Sequence, residues 1–250
     1  MIRCIDVLAS ILGLIACAPL LCICCLLIWL RDFRSPIYVA SRIGLGGRNF
    51  QMFKLRSMVV EAERIGGSSS GANDPRITPL GKVIRQSKLD ELMQLWNVLR
   101  GDMSLVGPRP QVGWAVRDYT ATERRLLSVR PGITDPSSIV FADQDDILTG
   151  TDDPDLLYNQ IIRPWKSRLA LLYVERGDFR SYCELIFTTV LGILSRRWAL
   201  NRINHIIARL GADEELLRVA RRDRPLYAAA PPGANAIVSH TDSRLGHQLL

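Results

Sequence analysis

The sequence predicts a mainly α protein with a small β component: an N-terminal membrane helix, amphipathic helices suited to a membrane interface, and a compact domain beside them. Three observations predict it. Val7 to Leu30 is a run of 24 residues without a charge. Arg31 to Arg56 then carries six basic residues against Asp32 alone, supplying +5 of the chain's net +7. Beyond that, helical periodicity dominates, interrupted by a strand-like segment and two rigid proline turns.

The 250 residues, 48% of them hydrophobic, suffice for one full core, and 23% charged residues exclude a wholly disordered chain. A basic balance calls for an anionic partner. Its concentration beside an apolar run points to a membrane ahead of nucleic acid. Of the 32 basic residues 28 are Arg, whose planar fork of donors suits phosphate, although composition bias produces the same ratio.

Residues 1–34 form the first unit. A helix of these 24 uncharged residues is about 36 Å long, enough for a hydrocarbon core of about 30 Å. The apolar run continues past Ala16-Cys17-Ala18, which argues against cleavage there. Pro19 falls mid-run and removes a helix hydrogen bond. Either the helix spans with a kink, or it dips in, breaks at Pro19 and returns to the same face. Cys22 and Cys25 have CxxC spacing but no second pair to complete a metal site.

Residues 35–200 form the second unit. After a basic linker, Asn49 to Met58 reads as a strand delivering Lys54 and Arg56. Gly66 to Gly71 is a flexible loop. Thr78 is an N-cap with Pro79 at the first helical position, and one helix runs on to Arg100 and stops at Gly101. Leu89, Leu92, Trp96 and Leu99 form its apolar stripe. Asp90, Gln94 and Asn97 share the polar one, with Glu91 at its border. Gly107-Pro108-Arg109-Pro110 and Arg130-Pro131-Gly132-Ile133-Thr134 are turns presenting Arg109 and Arg130. From Asp155 to Ser195 two helices carry broad apolar faces edged by Arg and Lys, fit for a core or a membrane interface. Residues 201–250 hold a short charged helix, Asp213 to Arg222, and an Ala/Pro/Gly/Ser tail read as disordered.

His205, His240 and His247 all lie in the poorly patterned C-terminal part, and no HExxH, GxGxxG, P-loop or Ser/His/Asp pattern is present. Carboxylates are left as candidate nucleophile or metal ligands, and Asp90-Glu91 is an adjacent pair. Lys54, Arg56, Arg85, Arg109 and Arg130 each lie near an element end, where side chains commonly reach a site. Alone, such a pair on a helix is more often a solvated face.

Read together, Lys54-Leu55-Arg56-Ser57-Met58, Asp74-Pro75-Arg76-Ile77-Thr78, Leu89-Asp90-Glu91-Leu92 and Gln94-Leu95-Trp96-Asn97-Val98 resemble the bacterial sugar transferase family. So do the ten residues from Gly101 to Pro110 and the turn Arg130 to Thr134. These are monotopic polyprenyl-phosphate phosphoglycosyl transferases, and the likeness covers about residues 1–195. The resemblance implies transfer of a phospho-sugar from a UDP-sugar to undecaprenyl phosphate with release of UMP, the first membrane step of polysaccharide or glycoconjugate assembly. It implies Asp90 as the nucleophile that carries the phospho-sugar, and Glu91 as the residue that positions the metal or accepts the acceptor's proton. Mg²⁺ is the implied ion, with Asp90 and Glu91 as its ligands.

The resemblance also implies the small form of the family, with a re-entrant helix broken at Pro19. The catalytic domain then lies on the cytosolic face of the bacterial inner membrane, beside anionic headgroups, with no nucleic-acid partner. Three positions depart from the family pattern: Met93 where Pro is common, Asp135 where Gly is, and Glu184 for a frequent Asp. The first two bear on the donor pocket, so the sugar stays open, as does the oligomeric state. The rival reading is a non-catalytic basic adaptor on the membrane surface.

Overall fold

The computed structural model describes residues 1–62 and 74–239. The loop expected at Gly66 to Gly71, and His240 and His247, lie outside the described residues. Helix α1 (Ile2–Asp32) is long and apolar enough to cross a membrane, with a mean hydropathy of 2.9 over its most apolar 18 residues. Pro19 sits inside it and does not end it. Phe33 closes it in the left-handed region (φ 56°), its N–H returning to the Trp29 carbonyl at 2.7 Å.

Much of the stretch read as a basic linker is a strand. β1 (Ile37–Ile43) pairs antiparallel with β2 (Asn49–Leu55), Ile37 opposite Leu55 and Ile43 opposite Asn49. The connection turns at Gly46 and Gly47, both at positive φ, which glycine adopts without a Cβ penalty.

Thr78 caps α2 (Pro79–Gln86), its Oγ1 accepting from the Gly81 N–H at 2.8 Å. The single helix expected from Pro79 to Arg100 is corrected to three pieces. Lys88 enters the left-handed region (φ 56°), a 3-10 turn covers Leu89–Met93, and α3 (Gln94–Arg100) ends at Gly101 with φ 88°. The stripe is corrected too. Trp96 is exposed, whereas Gln94 and Asn97 are buried. The reason is β2's open edge. Asn97 accepts from the Phe53 N–H at 3.0 Å and donates to the Gln51 carbonyl at 2.6 Å, standing in for a third strand.

β3 (Ser104–Val106) lies parallel to β4 (Gly132–Thr134), and α4 (Gly113–Arg117) leaves the first proline turn. Then follow α5 (Pro136–Val140), α6 (Gln144–Ile147) and α7 (Pro154–Leu157), the last running through a π-turn at Tyr158–Ile162 into α8 (Arg163–Arg176). Last come α9 (Phe179–Gly192), α10 (Arg196–Arg209) and α11 (Glu214–Arg221). Val98, Met103, Val140, Trp165, Leu169, Leu185, Ile203 and Ile207 share the main core, each large side chain contributing about 1.5–3 kcal/mol by burial. A second cluster packs Leu21, Cys24 and Ile28 of α1 on Leu55 and Ile84.

Residues 223–239, read as part of a disordered tail, have no helix or strand but are hydrogen-bonded to the domain. The Trp165 indole donates to the Tyr227 carbonyl at 3.0 Å, the Ala229 N–H to Gln160 O at 3.0 Å, and the Gln160 amide to Val238 O at 2.9 Å. The composition signalled no regular element, which is correct, but not these acceptors.

Candidate active site

Local sequence sets each part of the site. The left-handed Lys88 ends α2 and turns the chain so that Asp90 and Glu91 both sit on the 3-10 turn. Lys54 arrives from β2, opposite Tyr38. Arg109 is carried by a turn with proline on both sides, and that turn is fastened to β4: Gly132 N–H donates to Pro108 O at 3.0 Å and Gly107 N–H to Thr134 O at 2.9 Å. The fastening needs glycine. A Cβ on Gly132 would lie 2.1 Å from Gly107 N.

The two acids are treated differently. Arg109 Nη2 donates to Glu91 Oε1 at 2.6 Å, and Lys54 Nζ lies 3.5 Å from the same oxygen. Asp90 makes no hydrogen bond or ion pair among the described residues. Burial pushes the Glu91 carboxyl up, but the Arg109 and Lys54 charges outweigh it and hold it well below the usual carboxylate range. At Asp90 burial prevails over the Lys54 charge, and the pKa is raised. Burial lowers Lys54 against the pull of Glu91, whereas the Glu91 charge raises Arg109.

Arg85 pairs with Asp145 of α6 at 2.8 Å and acts on Asp90 through its charge. Lys54, Arg85 and Arg109 are thus brought to the dyad. Arg56 instead pairs with Asp32 at 2.6 Å, tying the end of β2 to the end of α1. Arg130 donates through Nε to Gly101 O at 3.0 Å, fixing the cap of α3. Sequence reasoning missed Lys166 of α8, which lies within Coulombic reach of Arg109 and Glu91. Asp135, noted only as a departure, is fully buried as the N-cap of α5, accepting from Ser138 N–H at 2.7 Å and Ser137 Oγ at 2.9 Å.

Among the described residues no group of three or more His, Cys, Asp or Glu is placed to hold a metal. The dyad itself offers two adjacent carboxylates, Asp90 and Glu91.

The site's surroundings match known proteins. The sequence profile of the family described as bacterial sugar transferase matches residues 1–196. Galactosyl transferase CpsE of Streptococcus agalactiae is 40% identical over 53% of this chain and 32% of its own length. The UDP-N-acetylgalactosamine-undecaprenyl-phosphate N-acetylgalactosaminephosphotransferase of Aeromonas hydrophila is 37% identical over 58% of this chain and 36% of its own. Exopolysaccharide production protein ExoY of Sinorhizobium fredii is 37% identical over 53% and 65% respectively. The chain spans between about a third and two thirds of the length of these relatives.

Proposed function

The chain belongs to the bacterial sugar transferase family, and from that premise we propose that it transfers a phospho-sugar from a UDP-sugar to undecaprenyl phosphate, with Asp90 as the covalent carrier. The observation that carries this reading is the unequal dyad: Glu91 is gripped by Arg109 and Lys54, while Asp90 beside it is unpaired among the described residues. A nucleophile must be free to move onto its target, and a positioning group must not.

In the first step an Asp90 carboxylate oxygen attacks the sugar-linked phosphorus. The bond from that phosphorus to the bridging oxygen breaks, UMP leaves with the electron pair, and an acyl phosphate forms on Asp90. In the second step a phosphate oxygen of undecaprenyl phosphate attacks the same phosphorus, Asp90 leaves as carboxylate, and the polyprenyl-diphosphate-sugar departs. Neither step needs a net proton transfer. That agrees with Glu91, whose carboxyl is held too far down to be an effective base. Its part is to hold Arg109 and Lys54 in place, where their charges face the phosphoryl oxygens. Two hard carboxylates fit Mg²⁺: Asp90 and Glu91 would hold the ion, which would supply further neutralisation of phosphate charge.

The same reading gives α1 a re-entrant path on the cytosolic face of the inner membrane. Arg3 donates to Val98 O at 2.6 Å and Leu99 O at 2.9 Å, and Asp6 accepts from the Leu105 N–H at 2.8 Å. At the other end Asp32 pairs with Arg56. A spanning helix would put these ends on opposite sides of a hydrocarbon core of about 30 Å, beyond the reach of one domain. A bend at Pro19 would let both ends meet it from one side. Exposed Phe187, Val190, Ile193 and Leu194, around the end of α9, suit the same interface.

The test is UMP release from a panel of UDP-sugars with Mg²⁺ and undecaprenyl phosphate. Active wild type beside inactive Asp90→Asn supports the reading. Equal release from both removes Asp90 as nucleophile, and no release from any donor favours the adaptor.

A further inference from the structure

The cations around the dyad are not equivalent. Arg109 and Lys54 face Glu91, and Arg85 is paired with Asp145. Lys166 joins the same charges through Gln144, whose chain neighbour Asp145 holds Arg85 at 2.8 Å, and it lies within Coulombic reach of Arg109 and Glu91. Among the described residues, however, no carboxylate lies in salt-bridge range of its ammonium. Its hydrogen-bond partner is a neutral one, the Gln144 amide oxygen at 2.5 Å, and the Tyr158 ring centre lies 5.9 Å from the nitrogen. A half-buried ammonium ordinarily recruits a carboxylate, because even partial desolvation of an unpaired charge is costly. Of its three N–H donors Gln144 takes one.

The position is fixed from two sides. Gln144 opens α6, and Asp143 just before it accepts from Arg222 Nη2 at 2.8 Å and pairs with Arg196 at 2.9 Å. On α8 the neighbouring Trp165 is fully buried and held by the Tyr227 carbonyl. A cation held in place without a counter-ion is preorganised for an anion that arrives later. Burial, reinforced by the Arg109 charge, brings Lys166 down to about 8, so it remains largely charged at neutral pH.

We propose that Lys166 is a further substrate-binding residue of this site, giving its ammonium to phosphoryl oxygens, with Gln144 as its positioning residue. The inference rests on the phosphoglycosyl transfer reading. The nucleotide diphosphate of the donor and the phosphate of the lipid both offer that chemistry, and kinetics separate them.

The experiment uses the full chain in lipid nanodiscs. It measures KM for UDP-sugar and for undecaprenyl phosphate, UMP affinity by calorimetry, and melting temperature for wild type, Lys166→Met, Lys166→Arg and Gln144→Leu. Lys166→Met is expected to raise one KM by about 10- to 100-fold, with Lys166→Arg recovering most of the loss and Gln144→Leu giving a smaller rise. A higher donor KM with weaker UMP binding assigns the contact to the donor; a higher acceptor KM assigns it to the lipid. Unchanged KM values, or a loss of kcat alone that Lys166→Arg does not restore, overturn the proposal. Should Lys166→Met fail to fold, Lys166→Gln takes its place with the same expected rise. A wild type that transfers nothing fails the functional reading instead. UMP binding then still judges Lys166, since equal affinity in wild type and variant overturns it.

Discussion

Arg109 and Glu91 meet through a single charge-assisted hydrogen bond of 2.6 Å, at the oxygen that Lys54 also approaches. One carboxylate therefore anchors two cations arriving from a proline turn and a strand. Replacing Arg109 with Ala removes a cation from the dyad and leaves Glu91 with Lys54 alone. UMP release is expected to fall by about 10²- to 10³-fold. A fall of less than fivefold would place Arg109 outside the chemistry.

The pH dependence follows from the dyad's opposite shifts. With Asp90 as the proposed nucleophile, its protonation ends attack, and because its pKa is raised, activity is expected to be lost on acidification above the pH at which an ordinary aspartate titrates, about 3.9. Glu91, held low, stays ionised throughout that limb. Lys54 opposes the effect of burial at Asp90, so Lys54→Met moves the acidic limb to higher pH. A profile of kcat/KM against pH reads this directly, and a shift to lower pH contradicts it.

Topology is tested at the ends of α1. In a background without the native cysteines, single cysteines at Ile2 and Phe33 are labelled with an impermeant reagent from each side of sealed vesicles. Both are expected to react from the side that carries the catalytic domain. Reaction of the two from opposite sides excludes the re-entrant path.

Gly132 and Gly107 bring the two proline turns into backbone contact. A Cβ at Gly132 meets backbone atoms of Gly107 and Val106, and these cannot rotate away. Gly132→Ala is expected to lower stability by about 1–3 kcal/mol and to displace Arg109. Thermal unfolding and UMP release are expected to fall together; a stable, active variant would show that the turns yield.

Local chemistry made part of this legible in the sequence. Thr78-Pro79 at a helix start, Gly101 at its end and the strand carrying Lys54 are all short-range signals, and the structure has them. Failures came where distant parts meet. Asn97 looked solvent-facing because its partners are backbone groups of β2, which no polarity pattern displays. β1 was hidden by Arg42 within it and Arg48 just beyond it, although Gly46-Gly47 between two apolar stretches was a hairpin signal. Lys88 gave no warning that it would enter the left-handed region and split the helix. Lys166 comes within Coulombic reach of Glu91 and Arg109 only through the packing of α8, so no spacing marked it. Arg56 and Arg130 matched as motif residues, but their hydrogen bonds serve α1 and the cap of α3.

The central claim is that the unpaired Asp90 carries the phospho-sugar. The most direct measurement is mass spectrometry of the full-length protein after brief incubation with UDP-sugar and Mg²⁺, without undecaprenyl phosphate, followed by peptide mapping. The expected result is a single phospho-sugar adduct on the peptide containing Asp90, absent from Asp90→Asn and discharged when undecaprenyl phosphate is added. An adduct on another residue, or transfer to lipid at full rate by Asp90→Asn, would contradict the account.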